Sequence, residues 1–147
     1  MRKVFKYNLQ KVLDYRTSLE EQARLEVVRS RKKYQDQIVL VQNFEHELEL
    51  ALKESRKKEN MTRDRIWLWN RYTQRMNSDL RLARLRLGEL AREVSAKRQY
   101  LLEKSRDKRI IEKLKVKQKI KFEHEQEKTE QKNFDEMAVV RHKHKAI

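Results

Sequence analysis

Five lysines stand at alternate positions, Lys113, Lys115, Lys117, Lys119 and Lys121, each followed by Leu114, Val116, Gln118, Ile120 or Phe122. Ammonium groups at that density do one kind of chemistry: they attract polyanions, such as an acidic protein surface, nucleic acid or anionic lipid. Strict alternation is the pattern of a half-buried strand. A lone strand, however, leaves its backbone groups unpaired, and the rest of the chain is patterned for helix. The segment therefore reads as a solvated, basic helix whose apolar residues scatter around the axis without forming a stripe. A solvated face is the ordinary meaning of such a run, and a docking surface for an acidic protein ring is the specific one. Nucleic acid is not the expected partner, because Phe122 is the one stacking aromatic nearby.

Other residue types offer less chemistry. His142 and His144 sit two apart and point to different sides of a helix, as befits a polar tail and not a metal site. His46 and His124 are isolated. The chain has no cysteine, which excludes thiolate ligation and disulfides and fits a reducing cytoplasm. One glycine, Gly88, cannot build a phosphate-cradling loop. With no pocket expected, the reading is no enzyme, no cofactor and no small-molecule substrate. The cluster IWLWNRY at 66–72 either seals one end of the structure or meets a partner through Trp67 and Tyr72.

The elements that position these groups follow from composition. Of 147 residues, 41% are charged, 37% are hydrophobic, one is glycine and none is proline, which leaves almost nothing to punctuate a many-element fold. Abundant Ala, Leu, Glu, Lys, Arg and Gln point to a few long helices. After Asn8, placed to cap the first helix, a stripe in steps of three and four runs through Val12, Leu19, Ala23, Val27, Tyr34, Ile38, Val41, Phe44, Leu48 and Leu52, with Arg16 and Ser30 in series. It lapses over SRKKENMTRD at 55–64, where Asn60 can turn the chain and Thr62 can cap again. A second stripe follows through Ile66, Trp69, Thr73, Met76, Leu80, Ala83, Leu87, Leu90, Val94, Leu101 and Ile111.

Two helices with one apolar seam each imply an all-α fold: a long two-helix antiparallel coiled-coil hairpin with an overhanging C-terminal helix. The expected organisation is a single domain, with helix 1 at about 8–58, a turn at about 59–63 and helix 2 at about 64–140. Folding there pairs residue i with about residue 121 − i, gives arms of about 75 Å, and exhausts helix 1 near Lys113. Gly88 then lies near Tyr34, either making room for that ring or serving as a hinge.

The start MRKVFKYNLQ has charge but no apolar core of a secretory signal, and no window approaches the length of a membrane span. A net charge of +15 favours acidic partners.

Two segments carry a resemblance. KYNLQKVLDYRTSLEEQARLEV, from Lys6 to Val27, resembles the opening of the FliJ family of flagellar export proteins, which commonly begins Phe-x-Leu-Gln-x-Val-Leu-x-x-Arg, with Tyr7 here in place of Phe. EQEKTEQKNFDEMAVVRHKHK, from Glu125 to Lys145, resembles the family's end, chiefly at Glu130-Gln131-Lys132 and Asp135-Glu136.

The resemblance implies a component of the flagellar type III export apparatus, cytoplasmic and peripherally associated with the inner membrane. It implies a stalk that binds and stimulates the export ATPase ring, meets the cytoplasmic domain of the export-gate membrane protein and assists export chaperones. On this basis the ATPase contacts fall at Gln10, Leu13 and Arg16 with Gln131, Phe134, Asp135 and Met137, and the opening lysines face the ring. The gate contacts fall at Val41, Phe44, Leu48, Tyr72 and Met76. The alternatives are the stalk of a virulence injectisome, or a basic coiled coil that binds nucleic acid or a membrane surface.

Overall fold

The computed structural model of the chain describes residues 3–57 and 62–145. They form two helices, α1 (Gln10–Lys57) and α2 (Arg63–Lys145), with no strand among the described residues. The fold is all-α, an antiparallel two-helix hairpin. The lysine-alternating segment is helical throughout.

Helix ends follow local hydrogen bonding. The Gln10 N–H donates to the Tyr7 carbonyl (3.1 Å) and the Leu13 N–H to the Leu9 carbonyl (2.9 Å), so a turn over 7–10 launches α1. The start therefore lies beyond Asn8, which is exposed, and Leu9 holds the capping place expected for Asn8. Thr62 does cap α2: its carbonyl accepts from the Ile66 N–H (3.1 Å) and its hydroxyl oxygen from the Arg65 N–H (3.5 Å). Asp64 in the first turn and His142, Lys143, His144 and Lys145 in the last oppose the helix dipole favourably. Asn60, the expected turning residue, lies outside the described residues.

The chain divides into two compact units, a central one, Gln22–Leu102, and a terminal one, Met1–Glu21 with Glu103–Ile147. In the central unit, α1 buries Ala23, Val27, Ser30, Val41 and Ala51, and α2 buries Met76, Leu80, Ala83, Leu90 and Val94. Half-buried residues, Tyr34, Gln37, Phe44 and Leu48 on α1 and Trp69, Thr73, Leu87, Lys97 and Leu101 on α2, fill the series. The steps alternate between three and four, the repeat of a coiled-coil seam. Ala51 occupies the seam where Leu52 was expected; Leu52 is exposed. Gln37 donates to the Ala83 carbonyl (2.9 Å), and Lys97 pairs with Glu26 (3.7 Å). These pairs sum to 120 and 123, close to the expected 121. Arg84–Glu45 (3.0 Å) and Lys33–Glu93 (3.8 Å) flank the seam in solvent, where such pairs contribute roughly 0.2–1 kcal/mol each.

In the terminal unit, Tyr7, Leu13 and Ile111 form a small core with Phe5 and Leu9 packed on it. Here Leu13 is the seam residue, and Val12, expected there, faces outward. Glu20 is buried with its carboxylate 3.6 Å from the Lys108 ammonium, which also lies 3.5 Å from Glu112.

Gly88 does not make room for Tyr34. A Cβ built there meets only Arg92 Nη2, at 3.9 Å, an ordinary contact, and its φ is negative. Gly88→Ala is therefore expected to stabilise the protein by about 0.5–1 kcal/mol through helix propensity alone, seen as a higher thermal midpoint by circular dichroism. A lower midpoint would mean that the glycine serves a packing need absent from these contacts.

Candidate partner-docking surfaces

In the terminal unit, residues 3–9 run without helical structure and tie down onto α2. The Tyr7 hydroxyl donates to the Ile111 carbonyl (3.0 Å), a buried bond between positions 104 apart in sequence. The Phe5 ring lies 5.5 Å from that of Phe122 and 6.5 Å from that of Tyr7. This arm reaches further along α2 than a helix starting at Asn8 would, because extended chain covers about 3.3 Å per residue against 1.5 Å for helix. Gln126 and Glu130 are still half-buried, so the stretch of α2 exposed at every described residue begins at Gln131, not at Lys113.

Gln10, Leu13 and Arg16 belong to that packing. Gln10 donates through Nε2 to Asp14 (2.9 Å) and accepts from Lys115 Nζ (2.8 Å), Leu13 is buried, and Arg16 Nη1 donates to the Asp107 carbonyl (2.8 Å). Gln131, Phe134, Asp135 and Met137 are exposed, with Gln131 donating to Asp135 (3.2 Å). The structure does not bring the two sets together: Gln131 lies about 24 Å further along the helix than Lys115, the partner of Gln10. Among the lysines, Lys115 is half-buried and engaged, whereas Lys113, Lys117, Lys119 and Lys121 are exposed.

Every residue from 131 to 145 is exposed, and Phe134 is 68% and Met137 57% accessible. Phe134, Met137, Ala138, Arg141, His142 and Lys145 line a shallow hollow of about 500 Å³ on this bare helix. Such large apolar side chains left in water are unfavourable unless something covers them.

In the central unit, Val41 and Met76 are buried in the seam and Phe44 and Leu48 are half-buried, so of the five expected gate contacts Tyr72 alone is exposed. Tyr72 packs edge-on against Trp69 (5.8 Å), and Arg71 lies over the exposed Trp67 ring (5.2 Å). Leu50, Ala51, Leu68, Trp69 and Tyr72, with Glu47, Glu54 and Arg65 around them, line an open hollow of about 690 Å³. Leu50 and Leu68 were not singled out from sequence because they sit off the stripes; an apolar residue beside a stripe is the signal that could have found them.

A protein-family model described as "Flagellar FliJ protein" matches residues 5–146. The chain belongs to the FliJ family. It is a flagellar export-related protein, which sets the flagellar reading above the injectisome one. Comparisons with curated proteins and with solved structures found no match. In this FliJ-family chain, no helix among the described residues is long and apolar enough to cross a membrane. Nor is any group of three or more His, Asp or Glu side chains among them placed to hold a metal ion.

The arm's hold on α2 can be tested without touching exposed residues. Tyr7→Phe removes the buried hydroxyl bond to Ile111 while keeping the ring, and is expected to cost about 0.5–1.5 kcal/mol in denaturant unfolding. Hydrogen exchange should rise at residues 3–13 and at the facing stretch around Ile111. Unchanged protection there would show that the rings hold the arm alone.

Proposed function

We propose that this FliJ-family chain is a non-enzymatic stalk of the flagellar type III export apparatus, cytoplasmic and peripheral to the inner membrane. It binds and stimulates the export ATPase ring, contacts the cytoplasmic domain of the export-gate membrane protein and assists export chaperone cycling. The observation that carries the ATPase reading is the bare helical stretch 131–145, exposed at every residue and bearing Phe134 and Met137. A helix with an uncovered apolar face is suited to enter a groove or ring lined by other chains. Gln131 and Asp135 fall on that stretch and supply polar contacts. Gln10, Leu13 and Arg16 support it indirectly, by fixing α2 in the terminal unit.

For the export gate, the hollow around Leu50, Leu68, Trp69 and Tyr72 is the favoured contact. It offers exposed aromatic and aliphatic side chains of the kind that dominate interface energetics. Val41, with Phe44 and Leu48 packed against it, belongs to a separate seam cluster with Leu80 and Ala83, and Met76 is buried, so these four hold the two helices together and do not line the hollow.

The test is ATP hydrolysis by the cognate export ATPase with the full chain and with a chain ending at Lys128. Cutting after Lys113 would confound the result, because it strips Phe5 of Phe122 and Gln10 of Lys115. Stimulation by the full chain, lost in the shortened one while its helical circular dichroism and thermal transition persist, is the expected result. Equal stimulation by both would remove the ATPase from this end of the helix.

A further inference from the structure

The terminal unit presents a second surface that the proposed ATPase contact at 131–145 leaves unused, and the inference drawn from it rests on the proposed peripheral membrane association. On α2, Lys108, Ile111, Lys115, Gln118 and Phe122 face inward and are buried or half-buried. The opposite side carries Arg106, Arg109, Lys113, Lys117 and Lys121, all exposed. Their spacing of three and four keeps them on one face of the helix over roughly 22 Å. The two acids between Arg106 and Lys121, Asp107 and Glu112, are both half-buried off this face, and Glu112 lies 3.5 Å from Lys108. The positive charge is thus not neutralised from within.

Three aliphatic side chains stand between these cations: Ile110 and Ile120, each 61% accessible, and Val116, 57%. A phosphate backbone would satisfy the cations and leave these aliphatics in water. No aromatic ring is on this face to stack against a base. An anionic bilayer satisfies both sets at once, because aliphatics sink to the headgroup–acyl boundary while lysine stems lie along it and extend their ammonium groups to the headgroups.

We infer that this face of α2, from Arg106 to Lys121, is a docking surface for an anionic lipid bilayer. The surface lies on the lysine-alternating segment, where the odd positions 113, 117 and 121 share one side and Lys115 is withdrawn to bind Gln10. It involves none of residues 131–145, so it neither requires the ATPase reading nor fails with it.

The test is co-sedimentation of the full chain with vesicles of phosphatidylglycerol and phosphatidylcholine, and with phosphatidylcholine alone, at low and moderate salt. Binding is expected to the mixed vesicles only and to weaken with salt. A cation near an anionic surface changes affinity about fivefold, so Lys113→Gln/Lys117→Gln/Lys121→Gln should lower it by about 100-fold. Among the described residues these lysines make no ion pair across the seam, and thermal melting will verify that the variant folds. Ile110→Ser/Ile120→Ser should lower vesicle affinity by about tenfold, leaving affinity for a DNA duplex unchanged. No binding to the mixed vesicles would overturn the proposal, as would binding indifferent to the lysine variant. Loss in the lysine variant without any loss in the isoleucine variant would overturn it too, because the face would then answer to negative charge alone and no longer single out a bilayer.

Discussion

A pair of helices can hide only about two positions in every seven, and everything else about this molecule follows from that restriction. No large side chain among the described residues is fully buried. Hydrophobic stabilisation is therefore dilute, and side chains that reach across the seam to a backbone carbonyl acquire unusual weight. Tyr7 reaches Ile111, Arg16 reaches Asp107, and Gln37 reaches Ala83. Each joins distant stretches of chain through a neighbour that no single substitution of the acceptor can remove. The same restriction leaves many leucines, isoleucines and aromatics on the surface, so exposure of one such residue means little, and meaning comes from what surrounds it.

The seam is also less apolar than its outline suggests. Glu20 is buried opposite Lys108, and Arg16, Lys97 and Lys104 occupy other seam positions at half burial. Ionic groups in such places contribute little net stability, but they discriminate among registers. Shifting α2 by one heptad in one direction would set Leu101 where Lys108 now meets Glu20, leaving a buried carboxylate against a leucine. The Glu20–Lys108 pair thus opposes that shift in the terminal unit, alongside the apolar contacts of Tyr7, Leu13 and Ile111.

Much of the seam could be read from the chain because Ala23, Val27, Val41, Leu80, Ala83, Leu90 and Val94 keep a steady three-four spacing. The differences fall where the spacing slips by one residue. Val12 and Leu52 look like better seam residues than their neighbours Leu13 and Ala51 only if the phase is allowed to drift, and the coiled-coil repeat does not drift. Glu20, Lys104 and Lys108 escape the pattern because a charged residue in a helical stripe reads as solvent-facing. The arm at 3–9 was invisible for a different reason: two rings on extended chain have no periodicity, and their partners, Ile111 and Phe122, lie at the far end of the sequence. For the same reason Lys115 looked like one of five equivalent lysines until Gln10 distinguished it.

Both tryptophans, Trp67 and Trp69, belong to the central unit, and the terminal unit has none. Intrinsic fluorescence is therefore a local instrument in this molecule. Emission excited at the indole band follows the surroundings of one short stretch of α2, while far-ultraviolet ellipticity integrates over both helices. A difference between the two signals during unfolding would be a map of which unit lets go first, obtained without attaching any label.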